Sequence, residues 1–134
     1  MLILLQVYLL MAKRTRHLTD AEQLCNNIVL GMTEKKGEEI AIIDLREIKN
    51  AIADFFVICT GTSDPHTDAL AYNVEKQVHL NLQQDPFKKE GFANKEWILL
   101  DYIDVVVHVF RADKRNFYSL EKLWGDAPIK YVTE

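Results

Sequence analysis

The spacing of hydrophobic residues predicts two long helices. Apolar side chains recur every three or four residues over 21–32, as on the buried face of an amphipathic helix. Thr19 and Glu22 have the spacing of a capping box at the start of this helix, and Gly37 follows as a stop. The same spacing predicts a second helix over 65–82, with Ser63 or Asp64 as its cap and Pro65 at its first position. Each helix therefore has one face that must pack against something else.

Short apolar runs between and after these helices predict the strands of one sheet. The β-branched run 40–45 predicts a strand, and the almost wholly apolar run 55–60 predicts a central strand that is covered on both faces. The runs 97–102 and 105–110 are separated by almost nothing. We therefore expect them to form a tight antiparallel hairpin around Ile103-Asp104.

The remaining segments predict less regular structure. The polar connection 83–95 is expected to hold one short strand around Phe87. Asp113 is expected to cap a final helix that Gly125 ends. Residues 129–134 are expected to form an irregular tail.

The order of the elements predicts how the strands pair. The central strand, its helix and the strand that begins at Trp97 read as one βαβ unit, which requires a right-handed parallel crossover. The hairpin then adds an antiparallel strand. The predicted fold class is α/β, a single-domain mixed β-sheet flanked by helices, in the order α-β-β-α-β-β-α.

Length and charge narrow the possible functions. The 134 residues fit one domain, and an apolar content of 49% supplies a core. Sixteen Lys and Arg against twenty Asp and Glu give a formal charge of −4. Proteins that coat phosphate backbones need many cationic contacts. If a protein of this charge acts near RNA, we expect it to bind a basic protein and not to recognise the nucleic acid directly.

The first residues follow a different pattern from the rest. Residues 1–11 read MLILLQVYLLM, well short of the roughly twenty apolar residues that cross a bilayer. Lys13, Arg14 and Arg16 follow this stretch, whereas a secretory signal places positive charge before it. Our hypothesis is that residues 1–10 are an N-terminal extension from start-codon choice, and that the domain spans 11–128.

The cysteines indicate a reducing, cytoplasmic compartment. Cys25 and Cys59 are too few for a disulfide scaffold or a zinc site. Both lie in apolar runs, where a free thiol behaves as a small buried hydrophobe.

The turn Gly61-Thr62-Ser63-Asp64 is the most suggestive candidate for ligand binding. A strand-to-helix turn offers backbone N–H groups and a helix dipole that favour an anion. A P-loop, however, requires a longer glycine-rich segment that ends in Lys-Ser/Thr, which is absent here. A capped helix start with a glycine turn is the preferred interpretation.

Catalytic chemistry has little support in the sequence. Asp64, Asp101 and Asp104 could hold magnesium, but Asp101 and Asp104 flank a hairpin turn, where acidic residues are common for local hydrogen bonding. The histidines have no ligand spacing, and no nucleophile has an evident base. We therefore expect no catalytic residues, no metal and no cofactor.

Aromatic and acidic residues cluster near the hairpin and the last helix. The cluster comprises Trp97, Asp101, Tyr102, Asp104, Tyr118, Glu121, Trp124 and Asp126. Phe117 and Trp124 are expected in the core. Trp97 and Tyr102, at opposite ends of one strand and beside carboxylates, fit an exposed interface better, because hot spots favour Trp and Tyr. Acidic neighbours would select a basic partner.

Four blocks of the sequence resemble the ribosomal silencing factor family (RsfS, also called Iojap). The blocks are ADFFVICTGTSDPH at 53–66, EWILLDY at 96–102, DVVVHVF at 104–110 and FYSLEKLW at 117–124. The match runs from about Leu18 to Pro128 in the order and spacing of the family.

The resemblance implies a translational repressor. A family member would bind the large ribosomal subunit through its fourteenth ribosomal protein and sterically block the small subunit, lowering translation when nutrients are scarce. The resemblance also implies a nucleotidyltransferase-like fold without known catalysis. The partner-binding residues it implies are Trp97, Asp101, Tyr102, Asp104 and His108, with Tyr118, Glu121 and Trp124 nearby.

The chain departs from the family pattern at one position, and two other functions stay open. Family members often have Gly where this chain has Ile103, and a β-branched residue resists positive φ, so the turn is expected to have a different shape. A nucleotidyltransferase-like enzyme would use Gly61-Thr62-Ser63 for phosphate and Asp101 or Asp104 for magnesium. A homodimeric scaffold would use the exposed aromatic residues on a second copy, and a homodimer could also coexist with silencing.

Overall fold

The computed structural model describes residues 18–118 and 120–133, and the side chains of all of these except 116–118. Its elements are α1 (Asp20–Glu34), β1 (Glu38–Asp44), β2 (Phe55–Gly61), α2 (Asp64–Leu82), β3 (Lys88–Glu90), β4 (Trp97–Asp101), β5 (Val105–Arg111), α3 (Ala112–Tyr118), α4 (Leu120–Leu123) and β6 (Ile129–Tyr131). The strands form a six-stranded sheet. The predicted α/β class, a mixed sheet flanked by helices, is confirmed.

Local side-chain caps start both long helices, as predicted. The Thr19 hydroxyl accepts from the Glu22 N–H at 3.1 Å, and the Glu22 carboxylate accepts from the Thr19 N–H at 3.2 Å. The Ser63 hydroxyl accepts from the His66 N–H at 3.2 Å at the start of α2, where Pro65 lies in the first turn. These bonds satisfy N–H groups that a helix leaves unpaired. The helix starts follow directly from the sequence.

The strand order is β3-β4-β5-β2-β1-β6, with β2 and β5 parallel and every other pair antiparallel. Strand β2 is central and buried throughout, as predicted. The predicted βαβ unit was wrong in one respect: β2 pairs in parallel with β5, and the strand at Trp97 lies outside it. Strand β5 is apolar on both faces and β4 on only one, so β5 occupies the more buried position.

The C-terminal region is more regular than predicted. Ile129–Tyr131 form β6, which pairs with β1 through Ala41, Ile42 and Ile43, so the expectation of an irregular tail was wrong there. Three residues are too few to show a strand period in the sequence. The predicted final helix consists of α3 and α4, and it begins at Ala112, so that Asp113 lies in its first turn rather than at its cap.

The structure tests the predicted short strand near Phe87 but not the predicted N-terminal extension. Strand β3 at Lys88–Glu90 confirms a short strand next to Phe87. The proposed extension 1–10 lies outside the described residues. Among the described residues, no helix has both the length and the apolar character needed to span a membrane.

The two faces of the sheet are covered unequally. Helices α1 and α2 pack on one face, over buried side chains that include Val57, Ile98 and Val107. The other face carries a smaller cluster around Phe56, Ile58 and Phe110, packed by residues of α4 and of the loop after β1. Side chains alternate between the faces along a strand, so β4 shows buried and half-buried residues in turn. The half-buried row of β4 lies on the second face.

Candidate functional site

The second face of the sheet carries an aromatic surface, which we call the open face and define as Trp97, Leu99, Asp101 and Trp124. All of these side chains are half-buried. The first three follow one another on β4 with the two-residue period of a strand, and Trp97, Leu99 and Trp124 pack against the same core cluster. The open face is therefore an accessible surface built on rigid elements.

Aromatic contacts hold the open face from below. The Trp97 indole stacks on Phe110 with 5.1 Å between ring centroids, and it donates its Nε1–H to His108 Nδ1 at 2.9 Å. His108 packs edge-on against Phe56 at 4.6 Å, and Phe56 contacts Trp124 at 5.9 Å in the same manner. These edge-to-face and stacked arrangements are the favoured geometries of aromatic pairs. The two tryptophans thus belong to one packed aromatic cluster.

His108, predicted to face a partner, lies beneath the surface. Its side chain is 3% exposed, and burial lowers its pKa to about 3. The imidazole is therefore neutral at physiological pH and can accept the indole proton of Trp97. His108 contributes to the open face through Trp97 rather than by direct exposure.

Tyr102 lies on the opposite face of the sheet from Trp97. Its side chain is 7% exposed and belongs to the core beneath α1 and α2, where burial raises the pKa of its hydroxyl. Residue 102 has the same strand parity as Ile98 and Leu100, which also point to the helices. The expectation that Tyr102 is exposed beside Trp97 was wrong, and the structure does not bring it to the open face.

Asp101 and Asp104 stand on either side of the hairpin turn. Asp101 accepts the Ile103 N–H at 2.8 Å, which is the local use of an acidic side chain expected in a turn. The carboxylate of Asp104 is exposed, while its backbone carbonyl accepts from Asp54 and Phe55. Asp101 thus places negative charge on the open face itself, and Asp104 places it next to that face, beyond the end of β4.

Ile103 occupies the tip of this turn in an unfavourable conformation. Its φ is +75°, and the Asp104 N–H donates to the Tyr102 carbonyl at 3.0 Å, two residues back. This is a γ-turn with positive φ, which is rare and strained. The β-branched Ile103 thus holds a positive φ, and we expect the backbone to be strained at this residue.

We expect Ile103→Gly to stabilise the protein. Glycine adopts positive φ without steric penalty, and the side chain it removes is 59% exposed, so little packing is lost. A non-glycine residue held at positive φ destabilises the folded state by on the order of 1–3 kcal/mol. Glycine removes this strain but also raises the entropy of the unfolded chain, which offsets part of the benefit. We therefore expect the free energy of unfolding to rise by about 1 kcal/mol. Urea unfolding of both proteins measures it.

Ile52→Gly is the matched control for this substitution. Ile52 is a 76% exposed isoleucine in a loop, and it is not among the described residues with positive φ. It should lose stability or stay unchanged. A loss in Ile103→Gly equal to that of the control would contradict the assignment of strain.

The remaining predicted residues have different environments. Glu121 accepts from Arg115 at 3.0 Å, which ties α4 to α3 and leaves its carboxylate 23% exposed. The side chain of Tyr118 lies outside the described residues, as does that of Phe117. Leu99 was missed, although it lies between Trp97 and Asp101 in the same row of β4. The two-residue alternation of the strand would have identified it.

The glycine turn after β2 is closed by its own hydrogen bonds. The Thr62 N–H donates to His66 Nδ1 at 2.9 Å, and the Ser63 hydroxyl and carbonyl accept from His66 and Thr67. Arg111, at the adjacent end of β5, pairs with Asp64 at 3.0 Å and Asp113 at 2.6 Å. An anion would have to compete with these bonds. The geometry supports the capped-helix interpretation over a phosphate site.

Groups that could perform other chemistry are inert in this structure. Burial raises the pKa of Cys25 and of Cys59 to about 12, so both thiols stay protonated and neither is an activated nucleophile. In the part of the chain that the structure describes, no group of three or more His, Cys, Asp and Glu side chains could hold a metal ion. What the site offers is an aromatic surface with adjacent negative charge.

The chain is similar to proteins that are named for the ribosome. Ribosomal silencing factor RsfS of Bacillus subtilis (strain 168) is 46% identical over 96 residues, which span 72% of this chain and 80% of that protein. Mitochondrial assembly of ribosomal large subunit protein 1 of Mus musculus is 40% identical over 73 residues, 53% of this chain and 32% of that protein.

A solved structure and a family model agree with these relatives. The crystal structure of a Chromobacterium violaceum protein, 26% identical, superposes with a TM-score of 0.75 over 87% of this chain and 95% of that one. The model of the family described as "Ribosomal silencing factor during starvation", RsfS, matches residues 18–134. Since that match includes every residue that the structure describes, the chain belongs to the RsfS family of ribosomal silencing factors.

Proposed function

We propose that this protein binds the large ribosomal subunit in the cytoplasm, through the fourteenth ribosomal protein of that subunit, and thereby blocks association with the small subunit. Translation falls when nutrients are limited. Membership of a silencing family supports regulation of translation. The name of the mouse relative refers to assembly of the large subunit, which supports that subunit as the partner.

The observation that carries this proposal is the open face. Trp97 and Leu99 present half-buried apolar surface on a strand, and the indole is held by Phe110 and His108. Rigid aromatic anchors in packed surroundings dominate the energetics of protein interfaces. Asp101 and Asp104 add negative charge beside this surface, which favours a basic partner and speeds encounter.

Steric blocking requires no chemical reaction. A bound body of 15.5 kDa occupies space that the small subunit needs, so the affinity and the position of binding set the effect. The protein thus acts without a metal or cofactor and is not an enzyme. A subunit-joining assay with purified ribosomal halves tests this directly. Unchanged joining at a saturating concentration of the protein would contradict the proposal.

Trp97→Ala is expected to weaken binding to the large subunit about thirtyfold. Truncation of a tryptophan hot spot costs about 2 kcal/mol or more of binding free energy, and the half-buried position of Trp97 makes it the principal anchor of the open face. Co-sedimentation of the purified protein with large subunits over a range of concentrations gives the affinity.

Tyr72→Ala serves as the control for Trp97→Ala. Tyr72 is 68% exposed on α2, which packs on the other face of the sheet, so its truncation should leave the affinity unchanged. If Trp97→Ala and the wild type bind with equal affinity, the assignment of the open face as the docking surface is contradicted. Tyr102→Ala is unsuitable for this test, because Tyr102 is a core residue whose loss affects folding.

We also infer that a second copy of the chain can occupy the open face when the ribosome is absent. A self-complementary contact would cover Trp97 and Leu99 and would compete with the subunit for the same residues. The mass in solution should then rise with concentration, and Trp97→Ala should shift the protein towards the monomer. A mass independent of concentration would contradict the homodimer.

A further inference from the structure

One hydrogen bond joins two side chains of neighbouring strands beneath the open face. The Nε1–H of Trp97 on β4 donates to Nδ1 of His108 on β5 at 2.9 Å. In the strand register, Trp97 lies opposite Phe110 and His108 lies opposite Leu99, so the bond runs diagonally between strands. Phe110 stacks on the indole at 5.1 Å. Two residues of β5 therefore hold Trp97, one through its ring face and one through its N–H.

The protonation state of His108 suits it as an acceptor. The ring is 3% exposed, and burial lowers its pKa to about 3, so it is neutral at physiological pH. Because Nδ1 accepts the indole proton, the imidazole proton resides on Nε2. Protonation of both nitrogens would exclude this bond.

The same arrangement leaves the second ring nitrogen of His108, Nε2, in an unfavourable environment. Nε2 is buried and has no hydrogen-bond partner within the described part of the chain. A buried N–H without a partner destabilises a fold, and an apolar side chain among Phe56, Trp97 and Phe110 would avoid that penalty. Packing alone does not account for a histidine here, whereas the bond to Trp97 does.

We infer that His108 is a positioning residue, which fixes the indole of Trp97 in one orientation on the open face and does not itself touch the partner. The inference rests on the proposed function for what the indole binds, but the hydrogen bond can be tested without the ribosome. A preoriented anchor loses less rotational freedom on binding than a free one. His108 would thus raise affinity through Trp97 alone.

His108→Asn and His108→Leu form a matched pair that tests this. The two replacements have nearly the same shape, but only the asparagine offers an oxygen acceptor near the position of Nδ1. We expect the indole N–H of Trp97, assigned in nitrogen-15 spectra by its absence from Trp97→Phe, to exchange with solvent at least tenfold faster in His108→Leu. His108→Asn should retain slow exchange.

Binding to the large subunit supplies the second measurement. His108→Leu should bind at least fivefold more weakly, and His108→Asn should bind within about twofold of the wild type. Trp97→Phe keeps an aromatic ring, although a smaller one, and lacks the N–H, so in that background His108→Leu should have no further effect. This cycle remains informative if the asparagine variant folds poorly.

Specific results would overturn the inference. Unchanged indole exchange in His108→Leu would show that the bond does not fix Trp97, and an undiminished effect of His108→Leu in the Trp97→Phe background would show that His108 acts independently of the indole. If Trp97→Ala binds subunits normally while His108→Leu still accelerates exchange, the proposed docking surface fails and the positioning contact stands.

Discussion

Arg115→Ala should lower the free energy of unfolding by about 3 kcal/mol, because the change removes a buried guanidinium that hydrogen-bonds to β1, β2 and α4 at once. Of its three partners, the Thr60 hydroxyl is buried and would lose this donor. The Arg115 side chain is 4% exposed. Its guanidinium donates to the Glu39 carbonyl at 2.6 Å, to the Thr60 hydroxyl at 2.8 Å and to the Glu121 carboxylate at 3.0 Å. Without it, α3, α4 and the ends of β1 and β2 lose their shared contact.

The same network explains why the buried charge is tolerated. Glu39 Oε2 lies 3.7 Å from Arg115 Nε, too far for a hydrogen bond, and that Nε has no hydrogen-bond partner among the described residues. The Glu121 carboxylate at 3.0 Å is therefore the closer counter-charge. It is itself 23% exposed, so removal of Arg115 leaves a partly solvated carboxylate rather than a fully buried one. This is why the expected loss lies at the lower end of the range for broken buried pairs.

Arg111→Ala is the matched control. Arg111 lies four residues before Arg115 and pairs with Asp64 and Asp113, but it is 25% exposed and its partners are more exposed still. Exposed ion pairs contribute little to stability, so this variant should unfold close to the wild type. Urea unfolding of both variants measures the difference. Equal losses in the two would contradict a special role for the buried guanidinium.

Local signals predicted most of the fold. Capping residues Thr19 and Ser63 and the hairpin at Ile103-Asp104 depend on neighbours in the sequence, and the structure has each of them. Strand β6 and the pairing of β2 with β5 depend on contacts between distant segments. The pairing of β2 with β5 follows from the burial of both strands on both faces, which is decisive only when all strands are compared. Strand β6 lies at the edge of the sheet, and its three residues are too few to show a strand period.

The candidate site shows, within one strand, what residue composition alone does not predict. Trp97 and Tyr102 are both aromatic and both stand next to an acidic residue, so composition makes them equivalent. Their separation by five positions on an extended strand places them on opposite faces, and the structure buries Tyr102 accordingly. Strand parity was sufficient to separate them. The burial of His108 required the tertiary packing of Phe56 over it, which no local pattern reports.

Gly61→Ala should lower the free energy of unfolding by about 3 kcal/mol, because the glycine allows α2 to approach the end of β2 closely. A Cβ at this position would meet the Thr67 hydroxyl and would lie 2.8 Å from Thr67 Cα and 2.9 Å from Thr67 N. Two of these atoms belong to the helix backbone, so a rotamer change cannot relieve the contact, and Thr67→Ala should not rescue the variant. Gly125→Ala should be nearly neutral, because in the described part of the chain its Cβ would meet only the Lys122 carbonyl, at 3.4 Å. Thermal and urea unfolding compare the three variants. A Gly61→Ala protein as stable as the wild type would contradict the close approach of α2 to the end of β2.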